Sequence, residues 1–222
     1  MIMFNSATIN MILLGIGETL LMVIVSTIFG YIFGLPLGIG LYITDKGSIK
    51  ENAKVYRALD IFVNIGRSIP FLILLILIIP FTRLIVGKTY GTAATIVPLT
   101  VSAIPFIGRM VESSLKEVDK GVIEAAQAMG ASTMDIITKV LLVEARPSLI
   151  NGVTICLGTI VGYSAMAGTV GGGGLGDIAI RYGYYRYQTD IMIITVVIIV
   201  LLVQAFQMIG SKLSKSLDKR KL

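Results

Sequence analysis

Three patterns in this chain have the residue types and spacing of known chemistries. Gly171, Gly173 and Gly176 match G-x-G-x-x-G, the spacing that lets a backbone approach a pyrophosphate. Asp190 follows at about the distance of an acid that would take a ribose hydroxyl. Gly87-Lys88-Thr89 ends like a phosphate-cradling loop, and Cys156 is a lone thiol. Each pattern fails on its surroundings. A phosphate loop needs its first glycine at position 82, which is Thr82. A dinucleotide fingerprint needs a strand before it and a helix after it. The 222 residues include no His, which removes Ser-His and Cys-His catalysis and every His-ligated metal site. One Cys forms neither an intrachain disulfide nor a thiolate cluster. The expectation is a chain with no catalytic residues, no metal and no ATP site of its own.

The elements that would position these residues are membrane spans. Apolar residues make up 55% of the chain and charged ones 14%, against about 25% charged in soluble domains. A bilayer-crossing helix needs about 20 mainly apolar residues. Five segments qualify, at 20–43, 69–86, 92–108, 149–170 and 191–210. The expected fold is therefore an all-α membrane protein of five transmembrane helices in one domain, 1–222. Lys46, Lys50, Lys54, Arg57 and Arg67 fall between the first two spans, and Arg109, Lys116, Lys120, Lys139 and Arg146 between the third and fourth. Lys212, Lys215, Lys219, Arg220 and Lys221 form the C-terminal tail. Five spans put these fifteen on one side and the remaining four, Arg83, Lys88, Arg181 and Arg186, on the other. Positive charge stays inside. The N-terminus is thus expected outside, the C-terminus in the cytoplasm, and the +6 net charge is topogenic, with no nucleic-acid partner. The same count puts both glycine decoys on the outer face. The loop at 171–176 is expected to be flexible or tightly turned, and Gly174→Ala to have a milder effect than a change at the Gly130 turn. The segment 1–17 lacks the basic start of a signal peptide, and Glu18 is expected at the outer interface.

Ser26, Gly30, Gly34 and Gly38 recur every four residues in the first span, and Gly158 and Gly162 do so in the fourth. Such rows allow close helix approach, either within the subunit or at a dimer seam. Pro36, Pro98 and Pro105 lie inside spans and should kink them. The connection 109–147 is the longest, and its pattern is helical. Apolar residues at Val122, Ile123, Ala125, Ala126 and Met129 predict a short helix over 121–129, which Gly130 ends. Ser132 and Asp135 read as the start of a second helix over 133–142, and Pro147 opens the next span. A helix pair held at the membrane face is either a lever that a partner pushes or an interfacial anchor. The local pattern leaves both open.

Glu124-Ala125-Ala126, Gly130, Val140 and Leu142 resemble the E-A-A-x3-G-x9-I-x-L-P loop of ABC importer permeases, with Val140 for the Ile and Val143 for the Pro. Further segments look like the methionine importer permeases of that superfamily. They include Asn64-Ile65-Gly66-Arg67-Ser68-Ile69-Pro70-Phe71, Arg109-Met110-Val111-Glu112 and Gly162-Tyr163-Ser164-Ala165-Met166, with the glycine run 171–176 and Tyr182-Gly183-Tyr184. The similarity spans roughly 18–210.

That resemblance implies a type I importer fold and a multi-pass place in the cell membrane. It implies a homodimer, two cytoplasmic ATPase subunits that use ATP and Mg, and an extracytoplasmic substrate-binding protein. The chain itself would bind no cofactor. Glu124, Ala125, Ala126, Met129 and Gly130 would couple to the ATPase. Tyr163, Ser164, Met166 and Arg67 would line or gate the pathway, with Arg67 at the cytoplasmic edge of the second span and Met166 as an apolar plug. Arg181, Tyr182, Tyr184, Tyr185 and Arg186 form either an interfacial aromatic belt or a docking surface for the binding protein. The alternatives are a permease for another small amino acid or short peptide, and a channel without an ATPase.

Overall fold

A computed structural model describes residues 6–217 of the chain. Lys219, Arg220 and Lys221, counted above in the basic tail, lie outside the described residues. Among the described residues, four helices are long and apolar enough to cross a membrane: α1 (Ser6–Thr44), α5 (Thr92–Lys116), α9 (Arg146–Ala167, continued by one 3-10 turn to Val170) and α11 (Thr189–Leu217). Three of the five expected segments thus extend well beyond their apolar windows. Helix α1 begins well before position 20, so Glu18 stands inside a helix rather than at its start.

The largest departure lies in the second span. The basic connection before position 69 contains a helix, α2 (Ala53–Ser68), capped by Asn52, whose side chain accepts from the amides of Lys54 and Val55. It is followed by α3 (Phe71–Leu77) and α4 (Ile79–Val86). Proline disfavours helical backbone in the residue before it, so Ile69 is extended (φ −80°, ψ 121°) ahead of Pro70. Helices α2 and α3 meet there at 100°, and together they make the fifth candidate span. The bend has a local cause, but hydropathy does not mark α2 as part of an apolar segment, because α2 carries Lys54, Arg57, Asp60 and Arg67.

Helix α1 packs along α5, and glycine makes the approach possible. A Cβ on Gly34 would lie 2.8 Å from the Ile107 side chain, and one on Gly38 would lie 2.5 Å from both the Gly108 carbonyl and Val111. The small-residue row of α1 therefore serves contact within the subunit. The core runs beneath this seam through Met22, Leu99, Ile107, Val111 and Leu115 to Cys156 and Ile160 on α9. Helix α2 runs antiparallel to α5, with Tyr56 beside Glu112, Asp60 beside Arg109, and Gly66 against Pro105. Helix α11 closes the other side of α9, where the Thr154 side chain meets Gly210.

The connection after α5 forms α6 (Lys120–Ala128), a turn at Gly130, and a second helical stretch from Thr133 to Glu144 that begins as α7 (Thr133–Asp135) and ends as α8 (Leu142–Glu144). That stretch is longer than the expected 133–142 and winds as π-helix over Ile136–Leu141. Pro147 sits in the first turn of α9, where a missing amide proton costs nothing.

Candidate coupling and pathway site

Gly130 has φ +78°, the left-handed conformation that a glycine after a helix supplies. Its amide bonds to the Gln127 carbonyl and the Ala131 amide to the Ala126 carbonyl, the paired closure of a Schellman motif. Ser132 Oγ then accepts from the Asp135 amide and starts the second helix. Lys139, then Ser132, hold the Asp135 carboxyl below its usual range. The chain thus reverses over a few residues with its backbone groups satisfied.

The predicted coupling residues divide between two faces of α6. Ala126 is 6% exposed and Ile123 is buried, so both root the helix on the core. Met129 is 81% exposed, and Val122 and Ala125 are open to the outside too. Glu124 lies on the face of Lys120, Ile123 and Gln127, and lines a cavity of about 440 Å³ between α6 and the turn at 45–49. Ala126 is therefore a packing residue, and Val122, Ala125 and Met129 form the exposed face of α6.

The pathway residues separate in the same way. Ser164 is 2% exposed and donates to the Val161 carbonyl, so it packs and does not line a surface. Met166 is 49% exposed. It lies on a stripe of α9 with Asn151, Ile155 and Gly162 that is exposed among the described residues. Tyr163 is half-buried and stacks flat on Phe71, with ring centroids 4.6 Å apart. Arg67 is exposed at the end of α2. Neighbouring Gly66 lies against Pro105 of α5.

Sequence reasoning missed the charged cluster at the end of α5. Glu112 is 1% exposed and accepts from Arg109 at 2.6 Å, Lys116 at 2.8 Å and the Tyr56 hydroxyl at 3.3 Å. Arg109 also binds Asp60 and Asn64 of α2, and Lys116 binds Asp45 just past α1. Burial alone would raise the Asp45 carboxyl. Hydrogen bonds from Lys116 and the Lys46 amide, with the Lys116 charge, hold it below the usual range. The cluster pins α1, α2 and α5 together near α6. The only local signal was the three- and four-residue spacing of Arg109, Glu112 and Lys116.

At the opposite end, the glycine run is a tightly turned, packed element. Gly171, Gly173 and Gly174 all have positive φ, and the run leads into α10 (Gly174–Ile178). Glu18 accepts from the Gly174 amide at 2.6 Å and Thr19 from the Leu175 amide at 2.9 Å. A Cβ on Gly174 would lie 2.6 Å from Thr19 Oγ1. At Gly174 strain and overlap therefore coincide. We expect Gly174→Ala to destabilise by about 1–3 kcal/mol from the backbone conformation alone. Thermal unfolding of the solubilised subunit reads this, and an unchanged midpoint would contradict it. Beyond α10, Arg186 lies over the Tyr182 ring at 4.5 Å, and Tyr184 and Tyr185 are exposed.

A bundle of membrane-crossing helices with a glycine-turned helix pair at one end has the architecture of a transporter's membrane subunit. The chain belongs to the family of binding-protein-dependent transport system inner membrane components, whose sequence profile matches residues 30–221. It is 54% identical over 211 residues to a probable D-methionine transport system permease protein, MetI, of Vibrio cholerae, covering 95% of this chain and 94% of that one. The corresponding Pasteurella multocida protein is 50% identical over 203 residues, covering 91% and 94%. A solved inward-facing MetNI methionine ABC transporter superposes with TM-score 0.96 at 50% identity, covering 97% of this chain and all of that one.

Proposed function

We propose that this chain is the membrane permease of an ATP-driven methionine importer. Two copies form the pathway, two cytoplasmic ATPase subunits hydrolyse ATP with Mg, and an extracytoplasmic binding protein delivers substrate. The chain binds no cofactor and hydrolyses nothing. Its N-terminus is outside and its C-terminus cytoplasmic. Met129, Ala125 and Gly130 carry the contact to the ATPase, with Glu124 on the flank of the same helix. Tyr163, Met166 and Arg67 belong to the pathway. The exposed Tyr184 and Tyr185 with Arg181 and Arg186 receive the binding protein.

The observation that carries this reading is α6 itself. It is rooted by Ile123 and Ala126, presents Met129 outward, and is turned by Gly130 into the stretch that leads to α9. A push on α6 therefore reaches two spans through rigid elements. The methionine assignment draws support from relatives near half identity across almost the whole chain.

The test uses proteoliposomes holding this chain, its ATPase and the binding protein. Methionine should accumulate only with ATP and with loaded binding protein. Topology is read in the same system. With Cys156→Ala as background, a cysteine replacing Ser132 should react with an impermeant maleimide in inverted vesicles and not in intact cells. Labelling of intact cells would overturn the orientation, and ATP-independent flux would favour a channel.

A further inference from the structure

We infer that one water molecule is a fixed part of the fold, bound between Thr82 of α4, the α5 backbone at Ala94 and the glycine run after α9. The inference is independent of the importer reading and holds whatever the chain transports. It starts from an orphaned hydroxyl. Thr82 is 4% exposed, and its Oγ1 has no hydrogen-bond partner among the described residues. A threonine in a helix commonly settles its hydroxyl on its own backbone. Thr19, Thr27, Thr154 and Thr195 each donate to the carbonyl four residues earlier. For Thr82 that carbonyl is Ile78, which takes the Thr82 amide at 2.8 Å but not the hydroxyl. A buried hydroxyl without a partner is costly, so something must take the bond.

The Thr82 side chain lines a small cavity of about 10 Å³ together with Ala94, Thr95, Pro98 and Gly172. That is room for one water and nothing larger. The lining carries no charged side chain, which suits a neutral ligand over an ion. It does carry acceptors. Pro98 has no amide hydrogen, so the Ala94 carbonyl lacks the donor that a helix would place four residues on. Thr95 Oγ1 directs its single proton at the carbonyls of Gly91 and Gly172, 3.1 and 3.0 Å away, and keeps lone pairs free to accept.

A water in this cavity donates to the Ala94 carbonyl and to Thr95 Oγ1, and accepts from the Thr82 hydroxyl. About three bonds is the usual number for a buried water. Ordered water is also one of the ways in which a proline inside a membrane helix has its freed carbonyl satisfied. The bridge ties α4 to α5 and, through Thr95, to Gly172. It lies beside the bond from the Gly91 amide to the Gly171 carbonyl.

Thr82→Val tests this, because it removes the hydroxyl at nearly unchanged volume. If the hydroxyl were merely unpaired, valine would raise the unfolding midpoint of the solubilised subunit. With the water bound, valine strands one of its bonds, and the midpoint should fall by at least about 2 °C. Pro98→Ala gives the Ala94 carbonyl an amide of its own and so removes one acceptor from the water. In that background the Thr82→Val shift should shrink. An unchanged or raised midpoint for Thr82→Val would overturn the inference, as would an undiminished shift in the Pro98→Ala background. A map of the native subunit that resolves buried waters should show a peak at about 3 Å from both Thr82 Oγ1 and the Ala94 carbonyl oxygen. No peak there would overturn the inference even if the valine variant failed to fold.

Discussion

Replacing Glu112 with alanine is expected to cost the folded subunit about 3 kcal/mol. Removing one partner of a buried ion pair costs about 3–5 kcal/mol, because the other charges stay behind without compensation. The low end applies here, since the side chains of Arg109 and Lys116 keep 25% and 44% of their exposure and can rehydrate. The loss is not confined to α5. Glu112 is where the Arg109 arm to α2 and the Lys116 arm to Asp45 meet. Without it, both cations compete for carboxylates already in use. Glu112→Gln keeps the shape and one acceptor, and should cost roughly half as much. Unfolding midpoints of the solubilised subunit measure both. Adding Lys116→Met to Glu112→Ala should recover part of the loss, because it removes the stranded charge. An unchanged midpoint for Glu112→Ala would mean that the cluster contributes nothing. Acid should weaken the Asp45 arm. A carboxyl held below its unfolded value stabilises above that unfolded value, and the contribution is lost as pH falls through the depressed folded value.

Gly130→Val should separate ATP hydrolysis from transport. No neighbouring atom lies within 4 Å of a Cβ built there, so there is no overlap. The penalty is conformational: φ +78° costs a β-branched residue about 1–3 kcal/mol. The turn escapes the strain by opening, which breaks the Ala131–Ala126 bond and re-aims α6 with its exposed Met129. Each 1.4 kcal/mol lowers the occupancy of the competent turn about tenfold. Methionine uptake should therefore fall tenfold or more, while the subunit still reaches the membrane and the ATPase still hydrolyses ATP. Gly130→Asn, which tolerates the left-handed region, should retain most of the uptake. Native uptake with native stimulation by the binding protein in Gly130→Val would remove α6 from the coupling role.

Both variants touch the same machinery, yet only one was visible in the sequence. The glycine turn was legible because everything that makes it is local. Gly130 follows an apolar-periodic run, Ser132 and Asp135 follow Gly130, and capping is decided within six residues. The Glu112 cluster joins residues 45, 56, 60 and 64 to an α5 segment dozens of positions away, and no window of sequence holds them together. The same distance hid the packing of the glycine run 171–176, whose partners Glu18 and Thr19 stand 156 residues earlier.

The sequence by itself determined that this is a helical membrane protein, where most of its apolar helices lie, and the family to which it belongs. Hydropathy and capping act through each residue's immediate neighbours, so they can be read in order along the chain. Tertiary structure decided which side of each helix is spent on packing. It turned Ser164 and Ala126 inward and left Met166 and Met129 bare. It also laid the charged helix α2 along α5, just before the bend into α3. A helix carrying Lys54, Arg57, Asp60 and Arg67 does not announce itself to a hydropathy window. It sits against α5 because Arg109 reaches Asp60 and Asn64, and because Gly66 has no side chain to keep Pro105 away.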